Sequence, residues 1–397
     1  MSDNIRHVAN AKPSVWQNVG HTNSDIAFRD NLAYVANLDG VQVYDISDPG
    51  QPVQRTGFGC GVRDMDISVT ETDLFFLSAG GLDSSGGTCG VGNGLTVGNA
   101  KNFRSTKVDI PCGVRSHTMV PDKTGEAVYI YTALRGGSVA GCEAPNGLFA
   151  VVKVPLNDPY LGAHVVASTI TFPETVPIPY RCVDITVYPE KDLAAASCDS
   201  HGLLLDISDR EHPKVLASAT NPDFASFTSA TFNNKASKVV FTDKVDGRDA
   251  TCNDQWNPRS RASAVYDIVD GQLVYRSTFK ISRPQSDAEN CGANTASLIP
   301  AKGRDIMVQA WYQGGTSVWD FTDSANPHEI AYFERGQARN WSTYGGVWAA
   351  HYYNGYIYNS DMTEGLDVLR IIDPRTNHAE SIRRDILNPK TQVSYRE

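Results

Sequence analysis

Apolar residues in this chain fall in short runs, not in stripes. Clusters of three or four Val, Ile, Leu, Ala, Met, Tyr and Phe residues follow polar turns at Leu32–Val35, Leu74–Leu77, Val128–Tyr131, Leu193–Ala196, Val239–Phe241, Ile306–Val308 and Tyr356–Tyr358. A second series opens on a polar residue: Asp25–Phe28, Asp66–Val69, His117–Val120, Asp184–Val187, Ser229–Phe232 and Thr295–Leu298. Short β-branched and aromatic runs bounded by Gly, Asn, Asp and Pro read as strands. No segment holds apolar residues at helical spacing over the length of a long helix.

A third run is entered through glycine and is the most regular. It reads Gly40-Val-Gln-Val-Tyr-Asp-Ile-Ser-Asp-Pro49, Gly202-Leu-Leu-Leu-Asp-Ile-Ser-Asp209 and Gly315-Thr-Ser-Val-Trp-Asp-Phe-Thr-Asp323, with degenerate copies near Gly94, Gly147, Ala262 and Gly365. With Asp45 as the marker, equivalents fall at 99, 152, 206, 267, 320 and 370, giving seven copies 50 to 61 residues apart. The segment Asp48–Pro52 cannot continue a central strand, because proline lacks a donor and fixes φ. The chain therefore turns there before an outer edge strand. Four antiparallel strands per copy, seven times over, predict an all-β, seven-bladed β-propeller. A β-solenoid has much shorter repeats.

One propeller of this size uses nearly all of the 397 residues, so a single domain over 1–397 is expected. The last copy lacks its outer strand, and the segment at about 4–9 resembles such a strand without a blade of its own. It is expected to complete blade seven and protect that edge. A polar tail at about 374–397 is left without a predicted structure.

The net charge of −10 argues against nucleic-acid and anionic-membrane partners. No apolar run is long enough to span a bilayer. The N-terminus has none of the features of a signal peptide, which predicts a cytoplasmic protein if Met1 is native. The eight cysteines point the other way: full pairing would mean an oxidising compartment and a removed signal. Cys182 and Cys198 fall on neighbouring predicted strands and are the first candidates for a bridge. Eight ordinary thiols is the plainer reading. Nothing in the sequence bears on oligomeric state.

The marker phrase resembles that of the LVIVD-repeat β-propeller proteins of bacteria. Ser24–Phe28, Leu32–Asn37 and Gly40–Pro49 match the pattern nearly in full, and Arg304–Asp323 looks like a stretch found in secreted actinobacterial members. The resemblance covers all seven repeats and implies the fold; most members have no assigned function. It also implies axial histidines at the positions of Val183, Thr228 and Asn294, none of which is histidine here. An inherited transition-metal site is therefore not expected.

In register, the polar first positions of the inner strands form a ring on the propeller axis: Asp25, Asp66, His117, Asp184, Ser229, Thr295 and a seventh near Ala349–His351. The aspartates Asp25, Asp66 and Asp184 suit a calcium ion, or, more plainly, hydrogen bonds to backbone amides of the next blade. His117 among carboxylates suits general acid–base work with Asp66 or Asp184; a structural histidine is the plainer reading. Arg63, Arg115 and Arg181 precede successive inner strands and would hold an anion at the channel mouth, or pair with nearby aspartates such as Asp64 or Asp66. Tyr312, Trp311, Trp348 and His351 would shape or serve the pocket, while packing between blades is the alternative for Trp311. The loops on that face add Asp199, His201, Asp243, Asp361 and Glu364.

No dinucleotide, Walker, nucleophile-elbow or zinc-protease motif occurs, so no redox cofactor is expected. Two functions follow. One is a cofactor-independent enzyme (lyase, cyclase, isomerase or hydrolase) acting on a small anionic or enolisable molecule in the funnel, with structural calcium the one candidate metal. The other is a non-catalytic binding or scaffold propeller.

Overall fold

The computed structural model describes residues 1–12, 23–37, 40–59, 66–78, 94–99, 101–102, 104–136, 140–244, 252, 259–283, 286, 289–336 and 345–396. Seven antiparallel sheets follow one another along the chain. Their innermost strands are Asn23–Arg29, Asp66–Val69, Val114–Pro121, Asp184–Tyr188, Phe227–Phe232, Ala296–Ile299 and Val347–Tyr353. The chain is a seven-bladed β-propeller. The first and last blades share the closure: the N-terminal strand Ile5–Ala11 pairs with Gly365–Ile371 as the outer strand of blade seven, with Ile5 opposite Ile371.

Both faces of a blade are covered by its neighbours, which explains the unbroken apolar runs. Successive side chains of a strand point to opposite faces, and both faces here are dry. Phe75 and Leu77 pack toward blade one, whereas Leu74 and Phe76, on the same strand, pack toward blade three. The core is accordingly divided among the described residues into seven clusters, each between one pair of adjacent blades. Gly315, the marker glycine of blade six, has a positive φ of 77°. A Cβ there would stand 2.1 Å from the Phe333 carbonyl oxygen, so only glycine fits.

Three disulfides lie among the described residues: Cys112–Cys142, Cys182–Cys198 and Cys252–Cys291. Cys60 and Cys89 lie outside the described residues. The Cys182–Cys198 bridge joins two fully buried positions 16 residues apart, at the channel end of blade four. Replacing both cysteines by alanine is expected to cost about 3 kcal/mol, through the freed unfolded chain. Urea unfolding of the double variant measures this.

The C-terminal tail is ordered. A short 3-10 segment, Pro374–Ser381, leads to Ile386–Leu387, which pairs with Phe28 and Arg29 on the inner edge of blade one. From there the chain crosses the face on which the inner strands end. Asn388 hydrogen-bonds both ways with the Val69 backbone, at 2.8 and 2.9 Å. The Gln392 amide bonds the Phe232 backbone in the same fashion, at 3.0 and 2.8 Å. Val187 N–H donates to the Lys390 carbonyl and Gln392 N–H to the Val187 carbonyl, both at 2.8 Å. These contacts fasten the tail across the axis on that face.

Candidate functional site

The ring expected from register is formed, and its centre is occupied by a residue from the tail. Lys390 extends its ammonium into the axis, 3.0 Å from Asp66 Oδ2 and 3.0 Å from Asp184 Oδ1. Asp25, the third carboxylate, belongs to the same charge cluster. Burial works against a charged amine, but the carboxylates of Asp184, Asp66 and Asp25 outweigh it and hold Lys390 protonated. Burial, together with the charges of Asp25 and Asp184, pushes Asp66 up to about 7 despite the opposing ammonium. Asp184 is raised too, again chiefly by burial. For Asp25 burial is outweighed by neighbouring His351 and Lys390, and its carboxyl is held below the ordinary range.

Asp66 also accepts the backbone N–H of His117 from the next blade, at 2.9 Å, the structural role foreseen for ring aspartates. Elsewhere hydroxyls stitch the inner strands together: Ser116 to the Val183 carbonyl (2.8 Å), Thr186 to Ala230 (2.8 Å) and Thr295 to Trp348 (3.1 Å). His117 is 1 % exposed and hydrogen-bonds Ser78 Oγ through Nδ1 at 2.8 Å. Its Nε2 has no partner. Burial, reinforced by the Lys390 charge, lowers its pKa to about 3, so the imidazole is neutral. His351 is equally buried, with Nε2 3.7 Å from Asp25 Oδ1, beyond hydrogen-bond reach. The void beside Asp25, Asp184, Ser229, Thr295, His351 and Lys390 measures about 10 Å³, at most the room one water needs.

Among the described residues no group of three or more His, Cys, Asp or Glu side chains is placed to hold a metal ion. At the centre of the suggested calcium ligands Asp25, Asp66 and Asp184 stands the Lys390 ammonium. Sequence reasoning missed Lys390 altogether.

The other expected residues are dispersed. Arg63 lies outside the described residues. Arg115 is half-buried at the start of its inner strand. Arg181 pairs with Asp199 at 2.9 Å, within its own blade and not with the ring. Trp311 is fully buried and packs edge-on to Phe279 at 5.8 Å, so it belongs to the core between blades five and six. Tyr312, one position on, faces blade seven, where its backbone pairs with Val347. Its ring stands edge-on to Trp348 at 5.9 Å, and the Lys244 ammonium lies over both rings at 5.3 and 4.7 Å. His201 hydrogen-bonds Ser200. Asp243 accepts the N–H groups of Ala225, Ser226 and Arg261, as a loop-fixing carboxylate.

A roomier cavity lies on the face opposite the tail, between blades six and seven. It measures about 370 Å³ and is bordered by Lys12, Tyr312, Phe333, Arg335, Asp361 and Glu364, among others.

No family model matches the chain, and no curated protein does. Among solved structures it is similar to the β-propeller domain of Myceliophteria thermophila Cps50 (Swd1), with a TM-score of 0.58 and 9 % identity over 90 % of this chain and 99 % of that one. It is also similar to the Dos1 propeller, with a TM-score of 0.55 and 14 % identity over 88 % of this chain and 78 % of that one. At such identities the likeness carries the fold alone.

Proposed function

We propose that this chain is a non-catalytic binding propeller that takes a small ligand on the face opposite its tail. The observation behind this reading is the Lys390 ammonium seated among the axial carboxylates, with about 10 Å³ beside it. The groups best placed for acid–base work thus have their charge met from within, and no substrate-sized space adjoins them among the described residues. The tail covers one mouth of the axis, which leaves the opposite face for recognition. The three disulfides among the described residues fit an oxidising compartment.

A second reading, acid–base chemistry on a small anionic molecule at the axis, draws on the unpartnered Nε2 of His117 and on Asp66, which titrates near neutrality. One experiment separates the two: thermal-shift screening of a small-metabolite library against wild type and His117→Gln, with products followed by mass spectrometry. The binding reading expects stabilising ligands, no turnover and equal responses from both proteins. Turnover that disappears in His117→Gln would overturn it in favour of the enzyme.

A further inference from the structure

We propose that the cavity between blades six and seven binds a free amino acid with an apolar or aromatic side chain. This deepens the binding reading and rests on it. At about 370 Å³ the cavity has the size of small-molecule sites, whereas the axial void is about 10 Å³ and the space beneath the tail about 40 Å³.

Its charged groups are held in place by the fold and keep capacity to spare. Asp361, at the end of the second strand of blade seven, is 2 % exposed. One carboxylate oxygen, Oδ1, accepts Thr363 N–H at 2.9 Å, the Thr363 hydroxyl at 3.2 Å and Glu364 N–H at 2.9 Å. The other, Oδ2, accepts no hydrogen bond among the described residues. A buried carboxylate fixed through one oxygen, with the second open to a cavity, suits an ammonium group. Arg335 supplies the opposite charge: it reaches Asp367 through Nε, at 3.3 Å, and Nη2, while Nη1 makes no hydrogen bond among the described residues. That leaves a guanidinium nitrogen for a carboxylate. The Lys12–Glu364 pair, 3.9 Å apart and largely exposed, adds balanced charge at the rim. Phe333 and Tyr312 give the cavity apolar wall. An anion and a cation around one small cavity, with aromatic rings beside them, match a zwitterion that carries an apolar side chain.

Ionisation of Asp361 gives the site a pH signature. Burial pushes its pKa up to about 6, against the pull of the Thr363 and Glu364 amides. The charges around it are Asp367 (with His7 behind), Arg335, Glu364 and Lys12. Below that pH the carboxyl is protonated and its hold on an ammonium is lost. Affinity should therefore rise as pH increases through about 6 and then level off.

The test is calorimetric titration of the full chain with L-phenylalanine, L-leucine and L-tyrosine, beside their amides and N-acetyl forms. The free amino acids should bind, and removing either charge should weaken binding at least about tenfold. Asp361→Asn should weaken it by the same order and flatten the pH profile. If that variant fails to fold, Arg335→Gln is titrated with the same panel and should lose the preference for free acids over amides. Absence of binding by all three amino acids overturns the inference, as does equal affinity for the N-acetyl forms or an unchanged Asp361→Asn. Other library members that stabilise the chain would then still uphold the binding reading. Turnover abolished by His117→Gln would sink that reading even with amino acids bound here.

Discussion

Lys390→Met should be among the most destabilising single substitutions in this chain, costing about 3–5 kcal/mol at pH 8. The methionine stem fills the same space, so the loss is electrostatic. Without the ammonium, Asp25, Asp66 and Asp184 face one another in a buried place with no counter-charge. The penalty should shrink on acidification. Asp66 and Asp184 are raised by burial, so their protonated forms become available first and relieve the repulsion. Urea unfolding of wild type and variant at pH 8 and pH 5 gives both numbers. Adding Asp66→Asn to Lys390→Met should recover part of the loss, because one of the facing charges is gone. A loss below about 1 kcal/mol at pH 8 would mean that the axis is wet enough to screen the carboxylates, and the closed axis would have to be abandoned.

What could be read beforehand follows from how each residue is placed. In a strand of known register the side chains alternate strictly, so the copies set in line predict which residues meet on the axis. Asp25, Asp66, His117, Asp184, Ser229, Thr295 and His351 were legible for that reason. So was the N-terminal strand, because the last copy was one strand short. Lys390 was not. It stands outside the repeat, and its position depends on Asn388, Thr391 and Gln392 finding backbone partners at the ends of three different blades. No local pattern in Asn388-Pro-Lys-Thr-Gln392 announces that. Three aspartates converging without a cation were the available signal, and they suggested a metal because the repeat itself held no lysine there.

Adjacent residues show the same limit on a smaller scale. Trp311 and Tyr312 could wall one pocket or pack between blades; Trp311 takes the packing role beside Phe279 while Tyr312 turns to blade seven. Tyr312 has φ of 48°, a left-handed turn that no apolar pattern records. Arg181 found its carboxylate in Asp199, at the far end of the neighbouring strand and beside the Cys182–Cys198 bridge, because a hairpin brings closer what sequence distance separates. Asp361 was visible as a loop acid; its significance depends on a cavity made by two blades, which one strand's pattern does not contain.

His117→Gln should remove a large part of the chain's acid sensitivity. In the folded protein the imidazole is neutral to about pH 3, since burial and the Lys390 charge disfavour its cation. In the unfolded chain it takes up a proton near pH 6.5. Between those values the unfolded state binds more protons at this residue, so stability falls as pH falls, by up to about 1.4 kcal/mol per unit. Asp66 works the other way. Its folded pKa lies above the unfolded one, so from about pH 4 to 7 the native state holds the extra proton and stability falls as pH rises. The two slopes partly cancel in wild type, and the difference between wild type and His117→Gln isolates the histidine. Glutamine keeps a hydrogen-bonding group near Ser78 and cannot titrate. From pH 7 to 4 the unfolding free energy of wild type should therefore fall relative to that of the variant, by up to about 1.4 kcal/mol per unit below pH 6.5. Parallel curves would mean that His117 takes up its proton in the folded protein at the same pH as in the unfolded chain, and so becomes an imidazolium on the axis in acid. An imidazolium beside Lys390 would require a further anion at the axis, and the search for a ligand would move there.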